Sequence, residues 1–251
     1  MHIYKKVLSV LLIVIIFSLF LMGCNNEDKN VKTGFKKNVV TESSIKTEPE
    51  NINSNDTKYM IKTKSIITNN IHVSYPQIVG LVDLEIQNKW NSIIKQKVDS
   101  GINNIGNNDT YVLSYKVKTQ NEKMISILMI GETSTAATDY EKYVFKYTYN
   151  IDIDTGESVR LKDSIDTEKI AKNLMAGNKY SIKDAEDSMF REYLDLFYEN
   201  HNELCTDLNT FDFGENLDFV SGYSYFENGK VYLCMNVSHS LGDYIEILID
   251  N

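Results

Sequence analysis

The amino-acid sequence predicts an α+β protein, with mainly antiparallel sheets packed against a few helices behind an N-terminal signal and a flexible tether. Three observations carry this. Stretches that alternate apolar and polar residues are more numerous than stretches of helical period. Neither half shows the β-α-β alternation that a parallel sheet demands. No core-forming periodicity appears before about residue 59.

The first 23 residues have the three parts of a secretory signal: Lys5 and Lys6, an apolar run from Val7 to Met22, and small Gly23 at the break. As a helix that run spans about 24 Å, short of the roughly 30 Å hydrocarbon core. Leu21-Met22-Gly23-Cys24 resembles the bacterial lipobox, in which the Cys thiol is acylated and the bond before it is then cut. Cys24 is therefore the candidate lipidation site, and acyl chains on it would hold the protein at the outer face of the cell membrane. An uncleaved anchor helix is the lesser alternative. Residues 24–58, rich in Asn, Lys, Ser, Thr and Glu, cannot bury enough apolar surface to offset their ordering entropy and read as a tether.

"YMIKTKSIIT" and "IHVSYP" form a predicted strand pair around Asn69-Asn70, ended by Pro76. From Asp83, a good N-cap, the period becomes helical, with Ile86, Trp90, Ile93, Ile94 and Val98 on one face. "YVLSYKVKT" turns Tyr111, Leu113, Tyr115 and Val117 inward and Ser114, Lys116 and Lys118 outward. "MISILMIGE" is apolar on both faces, as an interior strand would be. In "YVFKYTYNIDID" aromatic and aliphatic residues from Tyr143 to Ile153 alternate with Lys146, Thr148, Asn150, Asp152 and Asp154. The turn Asp154-Thr155-Gly156-Glu157 follows.

Asp166 caps a short helix carrying Ile170 and Leu174. A longer one runs from Lys183 to about Cys205, striped by Phe190, Leu194, Phe197, His201 and Leu204. Three strands close the chain, "LDFVSGYSYF", "KVYLCMNVS" and "DYIEILI", the first two joined by the hairpin signal Asn228-Gly229. The organisation is thus residues 1–23 signal, 24–58 tether, 59–153 a first α+β domain and 154–251 a second, packed with the first as one unit.

Removing the signal takes two of the 26 basic residues and none of the 35 acidic ones, so the net charge moves from −9 to −11. Nucleic-acid binding needs a basic face and is disfavoured; an acidic surface suits a cationic partner. Outside the membrane a disulfide between Cys205 and Cys234 is permitted, and two buried thiols are equally ordinary.

No catalytic set, cofactor motif or metal cluster emerges, so the chain is expected not to be an enzyme. Asp152 to Glu157 has the wrong glycine position and the wrong flanks for a calcium loop and reads as a β-turn. Ser238, His239, Ser240 and Asp243 include the residue types of a hydrolytic triad, yet Ser238 and His239 would point to opposite faces of a strand. His72 has no companion ligand, and His201 reads as a packed helix residue. Tyr223, Tyr225, Tyr232 and Tyr244 are candidates for a binding surface, since tyrosines make contact at low entropic cost.

Together "VSYPQIVGL" with "LEIQNKWNSII", "YNIDIDTGESVRLKDSI" and "FENGKVYLCMNVSHSLGDYIEILI" resemble a paired module of bacterial envelope proteins, a DUF4163-like domain followed by a DUF3298-like domain. The resemblance covers about residues 59–251. It implies the extracytoplasmic module of RsiV-type lysozyme-sensing anti-sigma factors and of PdaC-type peptidoglycan deacetylases. The family's Gly-Ala-His-Gly phrase is replaced here by "STAATDY". Neither deacetylase motifs nor a sigma-binding region is found, so what the resemblance implies is fold and an envelope-facing binding or sensing role. The expectation is a surface lipoprotein that binds peptidoglycan or a cationic envelope protein such as a lysozyme-like hydrolase. The alternative is a wall-polymer hydrolase using Asp152, Asp154 and Asp243. Heavy use of Asn, Ile and Lys points to an AT-rich, Gram-positive host.

Overall fold

A computed structural model describes residues 58–136, 141–183, 185–212 and 220–250. Cys24, the signal and nearly all of the tether lie outside the described residues, as do positions 217–219 of the strand expected from Leu217. Strands β1 (Met60–Ile67) and β2 (Ile71–Val79) form the expected hairpin, but Pro76 does not end it: β2 runs on through Pro76, opposite Thr63, to Val79; helix α1 (Leu84–Asn103) follows. Then come β3 (Thr110–Gln120), β4 (Met124–Ser134) and β5 (Lys142–Asp152). Beyond them lie the single turn α2 (Leu161–Ser164), α3 (Thr167–Ala176), β6 (Tyr180–Ile182), α4 (Asp187–Phe197) and α5 (His201–Leu208). The chain closes with β7 (Gly222–Glu227), β8 (Lys230–Asn236), a 3-10 turn (His239–Leu241) and β9 (Tyr244–Ile249).

The strands make a five-stranded sheet in the order β1-β2-β3-β4-β5 and a four-stranded sheet in the order β6-β9-β8-β7. Every pairing is antiparallel except the short parallel contact of β2 with β3, where Ile71, His72 and Val73 face Tyr111, Val112 and Leu113. The α+β class is as expected. Apolar β4 is flanked on both sides, and its Ile125, Ile127, Leu128 and Met129 are buried.

Helix α1 covers one face of the larger sheet and starts where the sequence places it. Asp83 Oδ1 accepts from Glu85 N at 2.8 Å and Ile86 N at 3.1 Å, satisfying two of the helix's orphan donors. Its buried stripe is Ile86, Trp90, Ile94 and Val98, packed on Val73, Ile78, Tyr111, Leu113, Ile127 and Tyr149. Asn91 clamps the helix over β2, donating to Ile78 O and accepting from Ile78 N, both at 2.8 Å. The second core joins the inward faces of β8 and β9, including Leu233, Met235, Ile245 and Ile247, to Ile170, Leu174, Phe190, Leu194 and Leu204 from the helices. Among the described residues no helix is long and apolar enough to cross a membrane.

Two further expectations are corrected. The long helix from Lys183 is broken: residues 180–182 are a strand, α4 stops at Phe197, and Asn200 caps a separate α5 by accepting from Asn202 N and Glu203 N. Phe197 is consequently half exposed rather than part of the stripe. The polar side of β5, and Lys118 of β3, do not face water either, because the smaller sheet packs on them through β7 and β9.

That inter-sheet seam is polar and fully laced. Ser126 Oγ donates to Asn150 Oδ1 at 2.7 Å and accepts from Phe226 N at 3.0 Å. Asn150 Nδ2 donates to Ser224 O at 2.9 Å, and Thr119 Oγ1 to Phe226 O at 2.6 Å. Leu128, Tyr225 and Cys234 supply a small apolar plug beside them. Buried polar groups cost stability unless hydrogen-bonded, so this lacing is what lets a face patterned for water meet a second sheet.

Candidate functional site

Helix α1 is pinned over β2, while β5 forms the sheet's edge, and a groove opens between them. One cavity of about 420 Å³ is walled by Trp90, Ile93 and Lys97 from the helix, Thr148 and Tyr149 from β5, and Glu157 from the following turn. A second, of about 400 Å³, continues past Ser100 and Asn104 to Tyr111, Phe145, Tyr147 and Tyr223. Lys97 and Ser100 line both. The helix wall is therefore one stripe: Trp90, Ile93, Lys97, Ser100 and Asn104, spaced three and four apart and so stacked along one face. Its first turns are apolar and its last are polar.

The wall is held by its surroundings. Trp90 Nε1 donates to Gly156 O at 3.0 Å, and Lys89 Nζ donates to the same oxygen at 3.0 Å and to Glu157 at 3.2 Å. Trp90 meets Tyr149 edge to face, with centroids 6.1 Å apart. Burial pushes the phenols of Tyr149, Tyr147, Tyr111 and Tyr223 up, so all stay neutral donors in any working range. The Lys97 ammonium stands 5.9 Å from the Tyr147 ring centroid, within cation–π range. Of the lysines that line the two cavities, Lys89 is paired with Glu157 at 3.2 Å and Lys146 with Glu246 at 2.8 Å, the latter pair buried between the sheets.

The tyrosines singled out from sequence do not form a common surface. Tyr225 is wholly buried, stacked on Tyr232 with centroids 4.6 Å apart, and its hydroxyl donates to Glu246 at 2.7 Å. Its place in the seam rules out a surface role. Tyr244 lies under the Lys146 ammonium at 3.7 Å, and Tyr232 under that of Lys183 at 5.0 Å. Only Tyr223 reaches the groove. Cys205 and Cys234 are not bridged: Cys205 lies on α5 beside Thr167 and Asn209, whereas Cys234 belongs to the plug between the sheets.

The acids proposed for hydrolysis have other employment. Asp152 Oδ1 caps the turn by accepting from Asp154 N and Thr155 N, and the hydrogen bond from Thr155 heads the causes that lower its pKa. Asp154 is exposed in that turn. Asp243 accepts from Val144 N at 2.8 Å through Oδ2 and meets His239 Nδ1 at 2.8 Å through Oδ1. The Asp–His half of a triad is thus formed, but the other ring nitrogen of His239 faces Glu141 Oε1 at 2.9 Å rather than a serine. Ser238 and Ser240 bond each other at 3.0 Å. Neither His72, in β2, nor His201, at the start of α5, belongs to a group able to hold a metal ion, and no such group occurs among the described residues.

The groove stripe was missed in the sequence because Lys97, Ser100 and Asn104 look like an ordinary solvated helix face. The available signal was their register with Trp90 and Ile93.

No family model matches the chain, and no curated protein does. Among solved structures it is similar to a DUF3298 family protein from Pseudomonas aeruginosa PAO1, with a TM-score of 0.43 and 11% identity, covering 76% of this chain and 89% of that one. It is also similar to a DUF3298 family member from Bacteroides fragilis NCTC 9343, with a TM-score of 0.30 and 11% identity over 47% of this chain and 66% of that one. Neither lends this chain a residue role.

Proposed function

We propose that this chain is a lipoprotein, acylated at Cys24 and displayed outside the cell membrane, whose folded part is a non-catalytic binding or sensing module for a wall component or an envelope protein. The observation that carries the binding role is the groove between α1 and β5. Concave, aromatic-walled clefts of several hundred Å³ with a few converging polar groups are the usual form of a ligand site. The lipobox-like Leu21-Met22-Gly23-Cys24 supports the location. Hydrolysis by carboxylates needs two of them facing across a substrate at a set separation. The groove lining has one, Glu157; of the acids named for that reading, Asp152 and Asp243 cap backbone amides, and Asp154, exposed in the turn before Glu157, does not line the groove.

The test has two arms. Mass spectrometry of the natural protein should find a mature chain beginning at a diacylated cysteine; an intact leader would remove the location. Incubation of the full chain with intact wall sacculi and with solubilised envelope proteins should retain it on one of them, and retention by neither would remove the binding role.

A further inference from the structure

Strand β1 forms the edge of the larger sheet opposite to β5. It pairs with β2 along its whole length without a register shift, and among the described residues no strand pairs with its other edge. In an antiparallel pair, residues whose main-chain groups face the partner strand alternate with residues whose groups face away. Thr68 N donates to Ile71 O at 2.8 Å, which sets the phase. Met60, Lys62, Lys64 and Ile66 therefore bond to β2, while Ile61, Thr63, Ser65 and Ile67 turn their N–H and C=O groups outward. Pro76 agrees with this phase, since it stands opposite Thr63, where the ladder asks for no N–H. The open stretch begins after Tyr59, whose carbonyl accepts from Gln120 Nε2 at 3.1 Å. Such a row of outward groups is a template for another strand.

The charge of this hairpin runs against that of the chain. From Lys58 to Val82 the sequence holds Lys58, Lys62 and Lys64 and no acid, in a protein of 26 basic and 35 acidic residues. Side chains alternate between the faces of a strand, so Lys62 and Lys64 project from the same face, beside half-exposed Met60. Unlike Lys89 and Lys146, neither has an ion-pair partner among the described residues.

Those lysines select what the edge can accept. Antiparallel pairing of two β1 strands centred on Lys64 sets that residue opposite its own copy, and moving the centre to Thr63 sets Lys62 opposite Lys64. Like charges directly opposite are destabilising. Edge lysines commonly keep like strands apart, and the same charges favour a strand that brings carboxylates.

We propose that β1 takes up an extended acidic segment of a partner protein as a sixth strand of the sheet, with carboxylates at alternate positions set against Lys62 and Lys64. Main-chain bonds to Ile61, Thr63, Ser65 and Ile67 supply the attachment, and the lysines supply the choice of partner. An acidic polymer without amides would leave the row of main-chain groups unmatched. The surface is separate from the groove, and neither reading depends on the other.

The experiment is amide hydrogen exchange by NMR, with fluorescence titration, on the full chain in detergent. The probes are three labelled heptapeptides in which glutamate, glutamine or lysine alternates with threonine and valine. The amides of Ile61, Thr63, Ser65 and Ile67 should exchange fast in the free chain and slowly once the glutamate peptide is added. That peptide should bind about fivefold or more tightly than the glutamine one, an advantage that shrinks as salt is raised. The lysine peptide should bind least. The variant Lys62→Glu, Lys64→Glu should reverse the order, so that the lysine peptide binds best. Absence of added protection at millimolar glutamate peptide, equal affinity for the glutamate and glutamine peptides, or an order unmoved by the charge reversal would overturn the proposal. Slow exchange of the four amides before any peptide is added would mean that a second copy or residues 24–58 already fill the edge, and would overturn it too.

Discussion

Lys146 of β5 and Glu246 of β9 meet across the two sheets at 2.8 Å, with only 8% and 4% of their surfaces exposed. The pair is the charged centre of a face that, read from sequence, belongs in water. Lys183 Nζ and Tyr225 Oη both donate to the other Glu246 oxygen at 2.7 Å. Burial opposes ionisation of Glu246, but hydrogen bonds from Lys146, Lys183 and Tyr225 outweigh it and bring its pKa down to about 2. Burial likewise works against the Lys146 ammonium, and the hydrogen bond it donates to Glu246 leads the effects that reverse the direction and raise its pKa.

Breaking one side of this pair should be worse than removing both. Glu246→Gln leaves the Lys146 charge buried without its counter-ion, at a cost of roughly 3–5 kcal/mol. The double variant Lys146→Met, Glu246→Leu should lose less, because an apolar contact replaces two desolvated ions. Urea denaturation of the two variants checks the order. A double variant less stable than Glu246→Gln would mean that the network, not the pair, holds the sheets together.

Two buried carboxyls should give stability slopes of opposite sign with pH. Glu246 has a folded pKa of about 2, below the unfolded value near 4.3. Its contribution is present above that unfolded value and is lost as pH falls through about 2. Asp212 goes the other way. Burial raises it to about 6, although Ser224 N and Oγ, Leu161 N and Thr148 Oγ1 all donate to it. Its contribution is full below the unfolded value near 3.9 and is lost as pH rises through about 6. Asp212→Asn keeps a residue that tolerates the φ of +66°, but sets an amide against the Leu161 N–H. It should cost roughly 1–3 kcal/mol at pH 5 and a smaller amount at pH 8. Urea midpoints from pH 3 to 8 measure this, and a deficit that does not shrink with pH would show that Asp212 does not titrate in the folded chain.

How far the fold was legible follows from what each residue's neighbours could reveal. Asp83 and Asp166 were readable as caps because a cap acts on amides two or three positions away. Asn228-Gly229 was readable as a hairpin turn for the same local reason, and both residues have positive φ. The partner of Lys146 lies 100 residues on. Periodicity in β5 told only that two faces differ, not that a second sheet would cover the polar one. The break after Phe197 was missed because the apolar spacing of Phe190, Leu194, His201 and Leu204 runs on through it. The groove fared similarly: Trp90 was placed correctly in the core, yet only the helix's position over β2 leaves room beside β5.

His239 should titrate above its ordinary range. Its ring lies between Asp243 and Glu141, and both ring nitrogens can donate only when the imidazole is charged. The hydrogen bond with Asp243 leads the causes that raise its pKa, with burial opposing and Glu141 adding to it. Because the folded value is raised, the stabilisation is full below the unfolded value near 6.5 and is lost as pH rises through the folded one. Asp243→Asn retains an acceptor for Val144 N and a residue at ease at the φ of +71°. In that variant the NMR titration midpoint of His239 should fall. An unchanged midpoint would assign the shift to Glu141 instead.

Two glycines with nearly the same backbone should respond very differently to alanine. Gly156 (φ +71°) and Gly229 (φ +73°) both occupy the left-handed region, where a Cβ costs about 1–2 kcal/mol. A Cβ on Gly229 meets nothing within 4 Å, whereas one on Gly156 would lie 2.8 Å from Cγ1 of buried Ile86. Gly229→Ala should therefore show the conformational cost alone. Gly156→Ala should add roughly 1–3 kcal/mol of overpacking. Relief of that clash would have to move either Ile86 or the turn whose carbonyl holds Trp90 and Lys89. Gly156→Ala should thus also weaken whatever the groove binds, and Gly229→Ala, at the tip of the β7–β8 hairpin, should not. Urea midpoints and ligand titrations on the two variants separate the effects, and equal losses of stability would mean that the turn yields freely and does not support the groove wall.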